Sequence, residues 1–233
     1  MRTYTRAVAM ARRLTSTVAA TALMAVAGIS QAGSISTPSL DAAYGSANFG
    51  SQAINIVWLA PGATLISAAL ASVDSFDDLL GLNLESPDAS PIINAFFVDK
   101  ITECDGVVAS NIKGCTILRS NALVVESAFT AGVSGGLNIA HELGHTLGLV
   151  HVGTAGNLMH PLLGGAALNA AQVSAVLANS KVQTAADGSR FIQIRPIAVV
   201  SASGMCGSAR NHITSPVACT APRANCPPMR CGR

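Results

Sequence analysis

Charged side chains are scarce in this sequence of 233 residues. They make up 11% of the chain, and the formal net charge is only +2. Much of the positive charge lies near the two ends, so no basic face is expected that would bind a phosphate backbone. The scarcity of charge therefore excludes nucleic acid as an expected partner. Half of the residues are hydrophobic, which allows a substantial core within one domain.

A hydrophobic run long enough to span a membrane is also missing. The apolar stretch over about residues 17–29 is built mainly of alanine and is shorter than the ~18–20 residues that cross a bilayer. Four arginines precede it and the small-residue sequence Ser30-Gln31-Ala32 follows it, an order typical of a secretory signal peptide. We therefore predict a removable signal over residues 1–32 and a secreted or periplasmic protein without a membrane span.

Cysteine is confined to the later part of the chain, and the six cysteines form an even set, as disulfides in an exported protein require. Cys104 and Cys115 bracket a short polar stretch that contains Gly106 and Gly114. We predict a disulfide between them that closes a loop or hairpin and contributes roughly 3 kcal/mol. Two free buried thiols are the alternative. The remaining cysteines allow three pairings, among which the sequence does not choose: Cys206, Cys219, Cys226 and Cys231.

Composition divides the chain into four segments. We predict the signal over residues 1–32, a flexible and exposed leader over 33–50, one domain over 51–200 and a disulfide-tied tail over 201–233. The leader is rich in Ser, Gly and Ala and has no hydrophobic periodicity, whereas the tail is rich in Pro, Arg and Cys. No internal repeat is apparent.

Hydrophobic patterning within the domain predicts an α+β fold. Runs of β-branched and aromatic residues predict strands over 53–59, 92–98, 121–129 and 191–200. Apolar residues at helical spacing predict helices over 65–73, 137–147 and 168–178. The glycines of 132–136 predict a flexible approach to the second helix. Pro196 lacks an N–H and indicates that the last strand lies at a sheet edge.

The second predicted helix carries the sequence His141-Glu142-Leu-Gly-His145. Residues four apart on a helix lie nearly above one another, so His141 and His145 can direct their imidazoles to one metal ion. Glu142 lies about 100° around the helix, beside such an ion, where it suits acid–base chemistry rather than ligation.

A third ligand requires the chain to turn away from the helix and return. Gly148 permits that turn because glycine adopts the left-handed conformation that ends helices. His151 can then approach the metal from the other side. Three histidines leave one tetrahedral position for water, which is typical of a catalytic rather than a structural zinc site.

These residues resemble the metzincin metallopeptidases, whose pattern HExxHxxGxxH is matched at every fixed position. The chain most resembles short bacterial relatives of the reprolysin and pappalysin type. Metzincins place a methionine turn beneath the zinc, and Asn157-Leu-Met159-His-Pro161 stands where that turn should be. The resemblance implies that Met159 is the hydrophobic base of the site and not a ligand. It also implies a mixed, twisted sheet packed on an active-site helix and a C-terminal helix.

The resemblance implies a secreted zinc endopeptidase with one catalytic Zn²⁺ ion. His141, His145 and His151 would bind the zinc, and Glu142 would take a proton from water and deliver it to the leaving amine. An edge strand within residues 106–119 would bind an extended protein or peptide substrate. We expect the protein to act as a monomer.

The chain departs from parts of the metzincin pattern. Some members place a tyrosine ligand two residues after the turn methionine, where this sequence has Pro161, so a tyrosine ligand is excluded. We expect His160 to lie beside the site or at the surface, and His212 to be unrelated to it. Latency through a leader cysteine is excluded because residues 33–50 contain none. The alternative function is a secreted binding or surface protein with a structural zinc and no peptidase activity.

Overall fold

The structure is a computed structural model that describes residue 35 and residues 37–162 and 164–201. The predicted signal peptide and the tail cysteines lie outside the described residues. None of the helices described is long and apolar enough to cross a membrane.

Five helices and eleven strands make up the described chain. The helices are α1 (Thr37–Tyr44), α2 (Ser46–Phe49), α3 (Phe76–Leu84), α4 (Gly132–Thr146) and α5 (Ala170–Leu177). The strands are β1 (Ile54–Trp58), β2 (Leu65–Ile66), β3 (Ser72–Val73), β4 (Ile93–Val98), β5 (Lys100–Ile101), β6 (Glu103–Cys104), β7 (Val107–Val108), β8 (Gly114–Cys115), β9 (Ala122–Glu126), β10 (Gln183–Thr184) and β11 (Arg190–Val200). Short 3₁₀ turns occur at Gly50–Gln52 and Ser127–Phe129.

The main sheet has the strand order β1-β11-β4-β9-β8, and β2 and β10 pair with β11. Its central strands run parallel, whereas β8 is antiparallel to β9. Every residue of β4 and β9 is buried, as expected for parallel strands with both faces covered. The α+β fold class is therefore confirmed, as are the strands predicted over 53–59, 92–98 and 121–129 and the helix predicted over 168–178.

Successive side chains of β4 and β9 pack into two cores on opposite faces of the sheet. Ile93 and Phe97 join the core beneath α1, α4 and α5, whereas Phe96 and Val98 join the core beneath α3. This alternation follows from the two-residue period of a strand. Helix α4, which carries the histidines, covers the face with the first of these two cores.

The prediction of a flexible and exposed leader over 33–50 is wrong where the chain forms α1 and α2, which bury apolar side chains. Leu40 and Tyr44 of α1 are fully buried, and the Tyr44 hydroxyl donates a 3.0 Å hydrogen bond to the Ala140 carbonyl of α4. Phe49 is also buried. Leu40, Ala43 and Tyr44 recur at helical spacing, a stripe too short to stand out among small residues.

The helix predicted over 65–73 is also wrong. Leu65–Ile66 pairs in parallel with Val199–Val200, and Ser72–Val73 pairs with Lys100–Ile101. Strand partners distant in sequence therefore override a local helical spacing. The helix begins later, where Ser75 caps α3 by accepting a hydrogen bond from the Asp78 N–H at 3.3 Å.

The glycines of residues 132–136 belong to α4 and do not form a flexible approach to it. Residues 132–136 form the first turns of α4, which packs closely on the chain before it. A Cβ atom at Gly135 would lie 2.3 Å from the Thr130 carbonyl carbon. Because Gly135 has no side chain, α4 can pack closely against the backbone of Thr130.

The edge position expected for the strand that contains Pro196 is wrong. β11 lies inside the sheet, between β1 and β4. Its pairing with β1 ends at Ile194, and its pairing with β2 begins at Val199. The Pro196 carbonyl accepts a hydrogen bond from the Gly62 N–H at 2.9 Å in this interval. Because the nitrogen and carbonyl of one strand residue point to the same side, the missing donor faces a loop rather than a strand.

Candidate metal centre

Three histidines bring their imidazoles together at one end of α4. The Nε2 atoms of His141, His145 and His151 lie 3.1 Å from one another in each pair. They form a group of side chains that could hold a metal ion. Nitrogens bound tetrahedrally to one zinc ion at ~2.0–2.1 Å are about 3.3–3.4 Å apart, so the donor set fits such an ion.

The turn that returns His151 to the helix is a Schellman motif. The Gly148 N–H bonds the His145 carbonyl and the Leu149 N–H bonds the Gly144 carbonyl, both at 2.9 Å. Gly148 has a φ of +89°, the left-handed conformation that glycine adopts without strain. Gly148 therefore adopts the turn conformation that was predicted for it.

Two backbone carbonyls orient the helical histidines. His141 Nδ1 lies 2.7 Å from the Leu158 carbonyl, and His145 Nδ1 lies 2.8 Å from the Leu149 carbonyl. A carbonyl only accepts, so each Nδ1 carries the proton and each Nε2 keeps its lone pair. The short distance between the Nε2 atoms of His141 and His145 is thus a contact between two acceptors and not a hydrogen bond. A cation between them would relieve the repulsion.

Burial keeps these imidazoles neutral. It lowers the pKa of His145 to about 4, with a further contribution from the charge of His141. Burial is also the main cause that lowers the pKa of His141 and the pKa of His151. Neutral imidazole is the form that binds a metal, so the group needs no deprotonation near neutral pH.

Met159 lies under the same helix. Its side chain is fully buried, and its sulfur is so close to α4 that a Cβ atom at Gly144 would lie 2.4 Å from it. The thioether therefore packs against the helix between the two histidines. Gly144 is a residue that the sequence reasoning missed, although its place inside the histidine motif was a possible signal.

A buried amide pair fixes the methionine turn to α5. Asn157 Nδ2 donates to Gln172 Oε1 at 2.8 Å, and Asn157 Oδ1 accepts from the Met159 N–H at 2.9 Å. Gln172 also completes the capping box of α5 with Asn169. These contacts set the position of the Met159 backbone and were not predicted.

Glu142 is enclosed between α4 and the edge strand. Its side chain is almost completely buried, and its Oε2 accepts a 2.7 Å hydrogen bond from the Thr116 hydroxyl. A Cβ atom at Gly114 would lie 2.4 Å from Oε1. Burial raises the pKa of Glu142 to about 8, although the Thr116 hydrogen bond acts in the opposite direction.

The edge strand β8 and the residue after it make contacts on both faces of the sheet. Gly114 and Thr116 face α4, whereas Cys115 points to the opposite face and forms the predicted disulfide with Cys104 across 5.7 Å between Cα atoms. The strand lies within the range 106–119 in which an edge was expected. Beyond β8, the described residues supply no further strand to the sheet.

A cleft of about 1070 Å³ runs along this edge. The three histidines, Glu142, Gly114 and Thr116 all line it. Pro161 lines it where some metzincins have a tyrosine, whereas His160 lies outside the three-histidine group. His160 Nδ1 lies 3.0 Å from the Leu162 carbonyl oxygen and 3.2 Å from the Leu162 nitrogen. His212 lies outside the described residues.

Comparisons of the chain with protein-family models, with curated proteins and with solved structures found no match. The resemblance to metzincins therefore rests on the histidine motif and the methionine segment. The geometry adds a three-histidine group that could hold a metal ion, beside a buried carboxyl group.

Proposed function

We propose that the protein is a secreted zinc-dependent endopeptidase of the metzincin type. One observation carries the proposal: three histidines that could bind a metal and the carboxyl group of Glu142 line the same cleft, along a sheet edge that no other strand of the described residues covers. A metal, an acid–base group and a peptide-binding edge are the three parts that peptide hydrolysis by this route requires.

The donor set favours zinc in a catalytic role. Three imidazoles suit zinc, and structural zinc sites usually take a fourth protein ligand that this group lacks among the described residues. Zinc bound here would polarise the scissile carbonyl and lower the pKa of a water molecule. The hydrogen bonds to Leu158 and Leu149 would keep His141 and His145 oriented throughout.

Glu142 is the proposed general base and acid. Its pKa of about 8 in the metal-free protein lies near neutral pH, where a carboxyl group can both accept and release a proton. Thr116 engages Oε2, so that Oε1 is left to take the proton from water and pass it to the leaving amine. The position of Oε1 against Gly114 limits how far the carboxyl group can rotate.

β8 is the proposed site of substrate binding. Its outer edge can accept an extended peptide through main-chain hydrogen bonds, as in strand addition. Because Gly114 of β8 and Thr116, which follows the strand, both lie against Glu142, the peptide would lie beside the general base.

The test uses the mature protein, a peptide library and a Glu142→Ala variant. We expect one zinc per chain, cleavage that a chelator stops and added zinc restores, and a Glu142→Ala protein that binds zinc without cleaving. A wild-type protein that binds zinc and cleaves no peptide would support the alternative of a structural zinc in a binding protein. Activity that survives Glu142→Ala unchanged would contradict the assigned role of Glu142.

A further inference from the structure

A two-residue turn sets the position of Asp105 at the cleft. Strands β6 and β7 pair Cys104 with Val107, so Asp105 and Gly106 form the turn between them. Their φ angles are +52° and +77°, as in the type I′ turns that favour Asp-Gly and Asn-Gly. The Gly106 N–H also donates to Glu103 Oε1 at 2.5 Å. The conformation of the turn therefore fixes the backbone position from which the Asp105 side chain extends.

A disulfide fixes this turn to the edge strand. Cys104, next to Asp105, is bonded to Cys115 of β8. The Ala109 N–H donates to the Thr102 carbonyl at 2.9 Å and continues the pairing of the hairpin beyond β6 and β7. Asp105 is thus attached to the strand that we propose as the peptide-binding edge.

The Asp105 side chain faces the cleft without a partner of its own. It is exposed, lines the cleft together with His151, and has no hydrogen bond or ion pair within the part of the chain that is described. The carboxylate and the third histidine of the group therefore line the same cleft.

The charged side chains Lys113 and Glu142 of the same cleft already have partners. Lys113 Nζ lies 2.6 Å from Glu126 Oε2, and Glu142 is buried under the Thr116 hydroxyl. Much of the remaining wall is apolar, including Val107, Ile112, Ile117, Leu118 and Val150. A peptide that covers Asp105 with an apolar or acidic group would leave a carboxylate desolvated and unpaired, which is unfavourable.

We propose that Asp105 is a specificity-determining residue that selects peptides with a lysine or arginine side chain close to the scissile bond. This inference rests on the proposed peptidase function and names its substrate class. The charge of Asp105 acts over about one Debye length, ~10 Å, and an extended peptide rises ~3.3 Å per residue. The selected basic residue therefore lies within about three residues of the point where the bound peptide passes Asp105.

The first measurement uses full-length mature protein with Glu142→Ala, loaded with zinc, so that peptides bind without being cut. Peptides that differ only by lysine, norleucine or glutamate at one position are compared by their Kd, position by position. At one position, lysine is expected to bind about two- to fivefold more tightly than norleucine, and glutamate more weakly. The lysine advantage should shrink as the salt concentration rises from about 50 to 500 mM.

The second measurement repeats the series with Asp105→Asn added. Asparagine suits the same turn conformation, so the variant removes the charge with little effect on the hairpin. The advantage of lysine over norleucine is expected to fall to about one. Asp99→Asn, which removes an exposed carboxylate outside the cleft, is expected to leave the advantage intact. Zinc content is measured in each variant to exclude metal loss as the cause.

Two results would overturn the assignment of Asp105. One is a lysine advantage that persists in Asp105→Asn, and the other is the absence of any charge preference at every position. Cleavage by the wild-type protein separates this failure from that of the function. If peptides are cleaved without charge preference, only the role of Asp105 is wrong, whereas a zinc-loaded protein that neither binds nor cleaves peptides contradicts both proposals.

Discussion

The Thr116 hydroxyl donates a 2.7 Å hydrogen bond to Oε2 of Glu142 and so joins the edge strand region to the helix that carries the histidine motif. The two residues are 26 positions apart in the chain. The contact places the carboxyl group of the proposed general base beside the proposed substrate strand. The positions of the strand and of the base are therefore coupled, and the first two predictions follow from that coupling.

Removal of the Thr116 hydroxyl should impair catalysis without affecting metal binding. Thr116→Val keeps the shape of the side chain but leaves Glu142 Oε2 without its donor. We expect kcat to fall by about tenfold, which corresponds to about 1.4 kcal/mol, with little change in KM or zinc affinity. Thr116→Ser retains the hydroxyl and is expected to keep most of the activity. Equal rates for the valine and wild-type proteins would show that the hydrogen bond has no catalytic role.

A side chain at Gly114 should displace the carboxyl group. The new Cβ atom of Gly114→Ala would lie 2.4 Å from Glu142 Oε1, closer than any stable contact. We expect kcat to fall by about 100-fold, because a shift of about 1 Å in a reacting group can have that effect. Zinc stoichiometry should stay at one. Gly153→Ala is the control, because its Cβ meets nothing within 4 Å. Full activity in Gly114→Ala would contradict the observed packing.

Gly144 and Met159 should be energetically coupled. A Cβ atom at Gly144 would lie 2.4 Å from the Met159 sulfur, so Gly144→Ala is expected to destabilise the protein by about 1–3 kcal/mol. Zinc affinity should also fall, since the substitution lies between the two helical histidines. In the Gly144→Ala, Met159→Ala double variant the added methyl group has room, so its cost should largely disappear. Chemical denaturation of the four proteins measures the coupling, and strictly additive effects would contradict direct contact.

Zinc binding should release a proton from Glu142. The pKa of Glu142 is raised to about 8 in the metal-free protein, so the group is mainly protonated at pH 7. A bound cation favours the carboxylate, and zinc affinity should therefore rise with pH up to about 8. The histidines contribute little there because the pKa of His145 is lowered to about 4 and the pKa of each of the other two is also lowered.

Calorimetry in buffers of different ionisation enthalpy measures this release directly. We expect the wild-type protein to release about one proton more per zinc at pH 7 than Glu142→Gln, because zinc-bound water contributes in both proteins. The same proton release in both proteins would assign it to the water or the histidines and contradict the raised pKa of Glu142.

The part of the site that is local in sequence was predictable. A helix places His141, Glu142 and His145 by its period alone, and Gly148 marks the turn toward His151. The contacts of Glu142 with Gly114 and Thr116 were not predictable, because they depend on how β8 packs against α4. The same holds for Gly144, whose role appears only when the position of Met159 is known.

The fold shows the same division between local and long-range information. Strands β4 and β9 are mainly apolar and were predicted, although β9 ends at Glu126, where the prediction ran on to residue 129. The two-residue strands β2 and β3 depend on partners far along the chain, so a helical spacing over 65–73 gave the wrong element. α1 was missed because only Leu40, Ala43 and Tyr44 carry its buried stripe.

The most direct test of the account measures peptide cleavage as zinc is added in steps to the metal-free protein. The three-histidine group and Glu142 predict a rate that rises in proportion to zinc and reaches its maximum at one equivalent. Saturation of binding at one equivalent without any cleavage would contradict the proposed peptidase, and cleavage by the metal-free protein would contradict the role of the metal centre.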